Sequence, residues 1–295
     1  MRQPVEVVGT SSVTRHLRGA ALELSADSGA VKAAVRRRRR VWITARIVAP
    51  VIVVVGFLAI WQLVSASGWQ PDFLLPAPSA IAQDMWHGRA GYWANTLTTL
   101  QEILIGFPIG VVLGIAIGAA VGLVPSLQHT AYPFVVASQS VPALALAPLL
   151  VLWFGFGMLP KVILVIQVVF FPIVIATVSG LAAVSQQAML FGRTLGASNW
   201  QLFVKVRIPA SLPYMFSGLK ISASYAAVAA VIAEFAGAKS GLGAMMLRAN
   251  NYLETQTTFG ALILVTVIGV GFFALMTLLE RICVPWHENF RKGNQ

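Results

Sequence analysis

Six separated stretches of roughly twenty mainly apolar residues leave this chain very few folds. They run from Ile47 to Val64, Ile103 to Val124, Val141 to Phe156, Val162 to Leu181, Tyr214 to Phe235 and Phe259 to Leu279. That length is what a helix needs to cross the hydrocarbon core of a bilayer. An open strand would leave backbone groups unpaired in lipid, so all six are expected as helices. The expected fold class is therefore all-α, a polytopic membrane protein with six transmembrane helices. The third stretch is short and interrupted by Pro142 and Pro148, which keeps five crossings open beside six. Composition agrees: 11% of residues are charged, against about 25% in soluble domains, too few to cover a water-exposed surface.

Orientation follows from the placement of Lys and Arg. With a cytoplasmic N-terminus, seventeen basic residues fall on the inner side and four, Arg89, Lys161, Lys239 and Arg248, on the outer. Both termini are thus expected in the cytoplasm, with the chain multi-pass in the inner (plasma) membrane. Residues 1–42 are polar, lack periodicity and end near the run Arg36 to Arg40, so they read as a disordered basic tail resting on anionic lipid. A cleaved signal peptide is the other reading of this end. Its apolar segment would be longer than usual, and five more stretches follow. The six-helix domain is placed at residues 43–290. Nothing resembles a basic stripe interleaved with aromatics, so no nucleic-acid partner is expected.

Site chemistry is sparse. The single cysteine, Cys283, and four scattered histidines offer no spaced metal set. The run Gly237-Ala-Lys-Ser240 lacks the glycines of a phosphate cradle. No catalytic constellation is present, so no enzyme activity, metal or cofactor is expected. Polar residues within the apolar stretches are costly in lipid and point to a cavity or a partner. Gln167, Ser222, Tyr225 and Glu234 are the candidates for a solute pathway. Ser222 and Tyr225, three apart, share a helix face and with Gln167 would form a neutral polar patch. Serines there can instead bond their own backbone. Glu234 fits a substrate or gate contact, and equally a helix cap or a pair with Lys239 or Arg248. Glycines at 106, 110, 114, 118 and 122 let another helix approach closely, either within the bundle or across a subunit interface.

The segment between the fourth and fifth stretches, residues 182–212, exceeds what a hairpin connection needs. It reads as a short amphipathic helix through Leu195, a break at Gly196 and a second short helix from Asn199 stopped by Pro209. Its mixture of basic, polar and aromatic residues suggests a docking surface; a plain connection is the alternative.

Gly196, nine residues, then Val206-Arg-Ile-Pro209 resembles the loop signature of ATP-binding-cassette importer permeases. In that family the signature is Glu-Ala-Ala, three residues, Gly, nine residues, Ile-x-Leu-Pro. Arg193, Thr194, Leu195, Gly196, Ala197 and Pro209 fall on matching positions, while Leu190-Phe-Gly192 stands where Glu-Ala-Ala would be. Ser140 to Gly155, Phe73 to Ile81 and Ala233 to Gly243 are similar to the nitrate, sulfonate and taurine branch. Gly218 to Tyr225 and Pro285-Trp-His287 lean towards its thiamine pyrimidine-precursor members. The resemblance implies a permease subunit of an ATP-driven importer for a small polar solute. It also implies a separate ATPase docked on residues 187–206, a solute-binding protein outside, and a second permease subunit, with a homodimer expected. A secondary transporter is the alternative from another class, and it would need an intramembrane ion relay that only Glu234 approaches.

Overall fold

The computed structural model describes residues 48–68, 71 and 73–286. The expected tail at 1–42 lies outside them. The first apolar stretch is α1, Val48–Ala66, a unit to itself. The second unit begins at Gly68 and contains α2 (Pro78–His87), α3 (Arg89–Leu123), α4 (Pro125–Ser138), α5 (Ala143–Phe154) and α6 (Met158–Ala182). It continues with α7 (Gln186–Thr194), α8 (Asn199–Leu202), α9 (Ile208–Phe235), α10 (Leu242–Asn251) and α11 (Thr255–Cys283). The expected all-helical fold stands among the described residues.

The core of this unit is a ladder between α3 and α6. A Cβ on Gly106 would lie 2.7 Å from Val165, on Gly110 2.9 Å from Val169, on Gly114 2.9 Å from Ile173 and on Gly118 2.7 Å from Thr177. Gly122 meets Leu181 in the same way. Missing side chains let the two backbones touch, the packing that lipid favours because apolar burial there drives little. The five-glycine stripe therefore packs within the chain. Each rung pairs a residue with one 59 positions later, so the two helices run parallel.

Parallel neighbours force the chain between them to return the full length of the bundle. That return is the work of α4 and α5, which are bent by 90° at the break between them. Here the expectation for the third crossing needs correction. Val141 to Phe156 supplies only the twelve residues of α5, about 18 Å of helix, too short to cross alone. The crossing is shared with α4, which the sequence reading had not included. The break sits at Pro142 because a residue before proline is driven out of the helical region.

α9 returns antiparallel against α6, fixed where Ser222 donates to the carbonyl of Val169 at 2.8 Å and where Gly180 and Gly218 admit close contact. α11 packs on α9, and Lys220 and Glu280 join them at 2.8 Å. A second correction concerns Pro209. It does not stop a helix; Phe203–Arg207 form a π-helical turn that leads directly into α9. In the wider turn the Ile208 amide bonds the Phe203 carbonyl five residues back, and Pro209 enters in the first turn of α9, where its missing amide donor costs little.

Candidate functional site: a helix-break cavity and a docking loop

The break between α4 and α5 opens a cavity of about 370 Å³. Gln139, Ser140 and Val141 form one wall, Gln167, Phe171 and Pro172 of α6 another, and Tyr225 of α9 a third. Gln167 lies nine residues into α6, about 14 Å from its start and so near half depth. Tyr225 is 52% exposed, unusual for a polar ring in the middle of a long apolar helix. The cavity therefore offers amides, a hydroxyl and two aromatic faces at the depth where lipid would offer nothing polar. Ser222, one helical turn from Tyr225, is fully buried, does not line the cavity and spends its hydroxyl on Val169. Gln139 and Ser140 were absent from the sequence candidates because they precede the apolar stretch at Val141.

Glu234 lies elsewhere, at the end of the bundle where α3 and α6 begin. It is fully buried, takes a hydrogen bond from Thr99 Oγ1 at 2.7 Å and another from the amide of Gly243. It pairs with neither Lys239 nor Arg248 in the described contacts; Arg248 instead holds the Lys239 carbonyl at 2.8 Å. Thr99 also accepts from the Leu242 amide at 2.9 Å, and Asn95 accepts from Gly241 at 2.8 Å. Together these three side chains cap α10, whose first amides have no helical partner of their own. Gly241 at φ 116° and Gly243 allow this, since a Cβ on either would strike the Glu234 carboxylate.

Beside this cap stands an ion pair that sequence reasoning missed. Lys161 Nζ lies 2.6 Å from Glu102 Oε1, and Glu102 is wholly buried. The pair is offset by the same 59 residues as the glycine rungs, one turn beyond Gly106. A signal existed: Tyr92, Thr96, Thr99 and Glu102 are buried at helical spacing and mark a polar stripe continuous with the glycines. α3 begins at Arg89 rather than Ile103 because this stripe is satisfied inside the protein, out of reach of an apolar window.

The loop between α6 and α9 is built by local capping. Ser185 caps α7 by accepting from Ala188. At the far end the Gly196 amide bonds the Arg193 carbonyl at 2.9 Å and the Ala197 amide the Gly192 carbonyl at 3.1 Å. Those two bonds with Gly196 at φ 80° make a Schellman turn. Ser198 and Gln201 then form a reciprocal capping box that starts α8. Arg193 reaches across the turn to Asn199 at 3.3 Å, and Thr194 bonds back to Phe191. Gly192, in the place of an expected alanine, leaves room for the Leu202 side chain. With the turn so fixed, Leu190, Phe191, Leu195 and Trp200 are each at least 60% exposed.

Residues 110–285 match the family model described as binding-protein-dependent transport system inner membrane component. The chain is 34% identical over 237 residues to a probable ABC transporter permease protein of Haemophilus influenzae, covering 80% of this chain and 97% of that one. It is 37% identical over 235 residues to the riboflavin transport system permease protein RibX of Chloroflexus aurantiacus, covering 79% and 87%. It is 31% identical over 240 residues to the formylaminopyrimidine transport permease protein ThiX of Halalkalibacterium halodurans, covering 81% and 96%.

Proposed function

We propose a working arrangement for this chain on the premise that it belongs to the family of binding-protein-dependent transport system inner membrane components. As a member it is the membrane permease of an ABC importer, not an enzyme; hydrolysis of ATP belongs to a separate subunit. Two copies line a path, each contributing the cavity at its α4–α5 break. The polar lining of the cavity supports this, because Tyr225, Gln139 and Gln167 gain from facing a second copy or a solute and lose by facing lipid. Broken helices near the midplane are a recurrent way for transporters to bind solute.

The end of the bundle bearing Gly196 faces the cytoplasm, in keeping with the excess of Lys and Arg there. The ATPase docks on Leu190, Phe191, Leu195 and Trp200, with Arg193 and Gly196 setting the turn and Pro209 its exit into α9. The exposed apolar quartet on a capped turn carries this reading: a plain connection would not hold four large apolar side chains out of contact. Closure of the ATPases moves the loop as a unit, and the continuous π turn transmits that motion into α9, tilting the bundle between its two access states.

For the substrate we favour a planar nitrogen heterocycle, the chemistry shared by the solutes named for the riboflavin and formylaminopyrimidine relatives. Phe171 and Tyr225 offer ring faces, and Gln139 and Gln167 offer amides that both donate and accept. The test is ATP hydrolysis by the complete complex in lipid, with its ATPase and binding protein. Riboflavin, a formylaminopyrimidine, taurine and nitrate form the panel. Stimulation by a heterocycle is expected; stimulation by taurine or nitrate alone would replace this substrate class.

A further inference from the structure

A second cavity, about 390 Å³, adjoins the one at the helix break and shares Gln139 and Pro172 with it. The two form one groove along α6 and α9, with Gln139 where they meet. On α6 the groove follows Gln167, Phe171, Ile175 and Ser179, each four apart and so on one face. On α9 it follows Tyr225, Ile221, Ser217 and Tyr214 at steps of four, four and three. From Gln167 to Ser179 is twelve residues, about 18 Å, which reaches from half depth to the last turn of α6. The floor is firm, since a Cβ on Gly218 would lie 2.5 Å from Ala176 and one on Gly180 would strike Ser211. Tyr214, Ile221 and Tyr225, each about half exposed, mark the open side.

Polar groups in this groove differ from those on the apolar outer face of α11. There Thr266 donates to the Leu262 carbonyl at 2.8 Å and Thr277 to the Phe273 carbonyl at 2.9 Å. A hydroxyl tied to its own helix can face hydrocarbon at little cost. In the groove Ser217 is tied in this way, to the Pro213 carbonyl at 3.0 Å. The side chains of Gln139, Gln167, Ser179, Tyr214 and Tyr225 make no hydrogen bond among the described residues. A line of untied amides and hydroxyls is costly against lipid and suited to a wet passage.

We propose that this groove is the inner half of the solute path. It carries solute from the helix-break cavity past Gln139 to the cytoplasmic end, and a second copy closes its open side to lipid. The inference rests on the two-copy arrangement proposed above and extends it from a binding cavity to an exit. Both walls continue into the loop assigned to the ATPase, α6 leading to α7 and α9 emerging from the π turn. The exit therefore ends beside the surface that the ATPase moves.

α11 supplies the control. A Cβ on Gly269 would meet Ser224 and Ala227, and Glu280 pairs with Lys220, so α11 runs antiparallel to α9 and Leu278 stands level with Ser217. Leu278 is 54% exposed and lies outside the groove. In a chain carrying Cys283→Ser, Ser217→Cys and Leu278→Cys are assembled separately with ATPase and binding protein in lipid nanodiscs. Each is treated with a charged, water-soluble methanethiosulfonate. A thiol in apolar surroundings stays protonated and unreactive, so Ser217→Cys is expected to react at least about tenfold faster than Leu278→Cys. Moved to liposomes, the modified complex is expected to take up riboflavin or a formylaminopyrimidine, whichever the wild type carries, at least about tenfold more slowly than the same variant before modification, because the added group fills the passage. Equal rates of reaction would put the groove against lipid or a dry interface and overturn the proposal. Fast reaction with unchanged uptake would mark a crevice off the path and overturn it too. Ser179→Cys, at the inner mouth, decides by the same criteria if Ser217→Cys does not assemble. A wild type that carries taurine or nitrate instead overturns the substrate class alone, and that solute becomes the uptake probe. A wild-type complex holding a single permease copy overturns the two-copy arrangement and this inference together.

Discussion

The two ends of the bundle are held together by opposite means. At the α10 end, Asn95, Thr99 and Glu102 of α3, Lys161 of α6 and Glu234 of α9 meet in one polar centre, with hydrogen bonds that span up to 146 positions. At the Gly196 end the bonds are local, each spanning six residues or fewer, and the apolar side chains point outward. A long-range polar centre resists separation of helices because any displacement strands several groups at once. A locally capped turn keeps its own shape while the whole of it moves. The first end is built as an anchor and the second as a handle.

The largest expected effect lies between the two ends. Gly110→Leu drives a side chain into Val169 and the Ile166 carbonyl, and should lower the stability of the purified chain in detergent by about 3 kcal/mol or more. Gly271→Leu, with nothing within 4 Å, should leave its thermal midpoint unmoved. Equal shifts in the two would mean the ladder is not the core. At the anchor, Glu234→Ala uncaps α10 and strands Thr99, for a loss of about 2 kcal/mol by denaturant unfolding. At the handle, Gly196→Val places a β-branched residue at φ 80°, costing about 1–2 kcal/mol locally. The chain should still insert and fold, yet lose co-purification of its ATPase; full ATPase retention would remove the docking role. Smallest in stability is Trp200→Ala, within about 0.5 kcal/mol of wild type, but with at least tenfold weaker ATPase binding in a pull-down titration. Uptake should also persist when the proton gradient is collapsed and ATP is maintained, and its loss would favour a gradient-driven transporter.

The handle was largely legible in the sequence and the anchor was not. Ser185, Gly196 and Ser198 act on residues within a few positions, so their spacing alone announces a cap, a turn and a new helix. Glu102 and Lys161 announce nothing locally. Lys161 counted as an outer charge in the orientation argument, whereas it is buried against Glu102, just as Lys220, counted as inner, is paired with Glu280. The glycine stripe showed that a helix would come close but not which one, because a small surface specifies distance and not identity. Pro142 was visible as an interruption, and the missing half of the crossing was not, since α4 mixes His129, Thr130 and Tyr132 with its apolar residues. Pro209 was misread because a proline can enter in the first turn of a helix as well as end one.

The five glycine rungs repeat every four residues, so a slide of α3 along α6 by one turn would bring each glycine to the neighbour's seat and find it equally roomy. The scale has one graduation that does not repeat. Such a slide would bring Glu102 to the seat of Gly106, or bring Gly106 to Lys161, and leave a buried charge without its counterpart. The ion pair is therefore a vernier mark on an otherwise uniform rule, fixing the zero from which any travel of these two helices is measured.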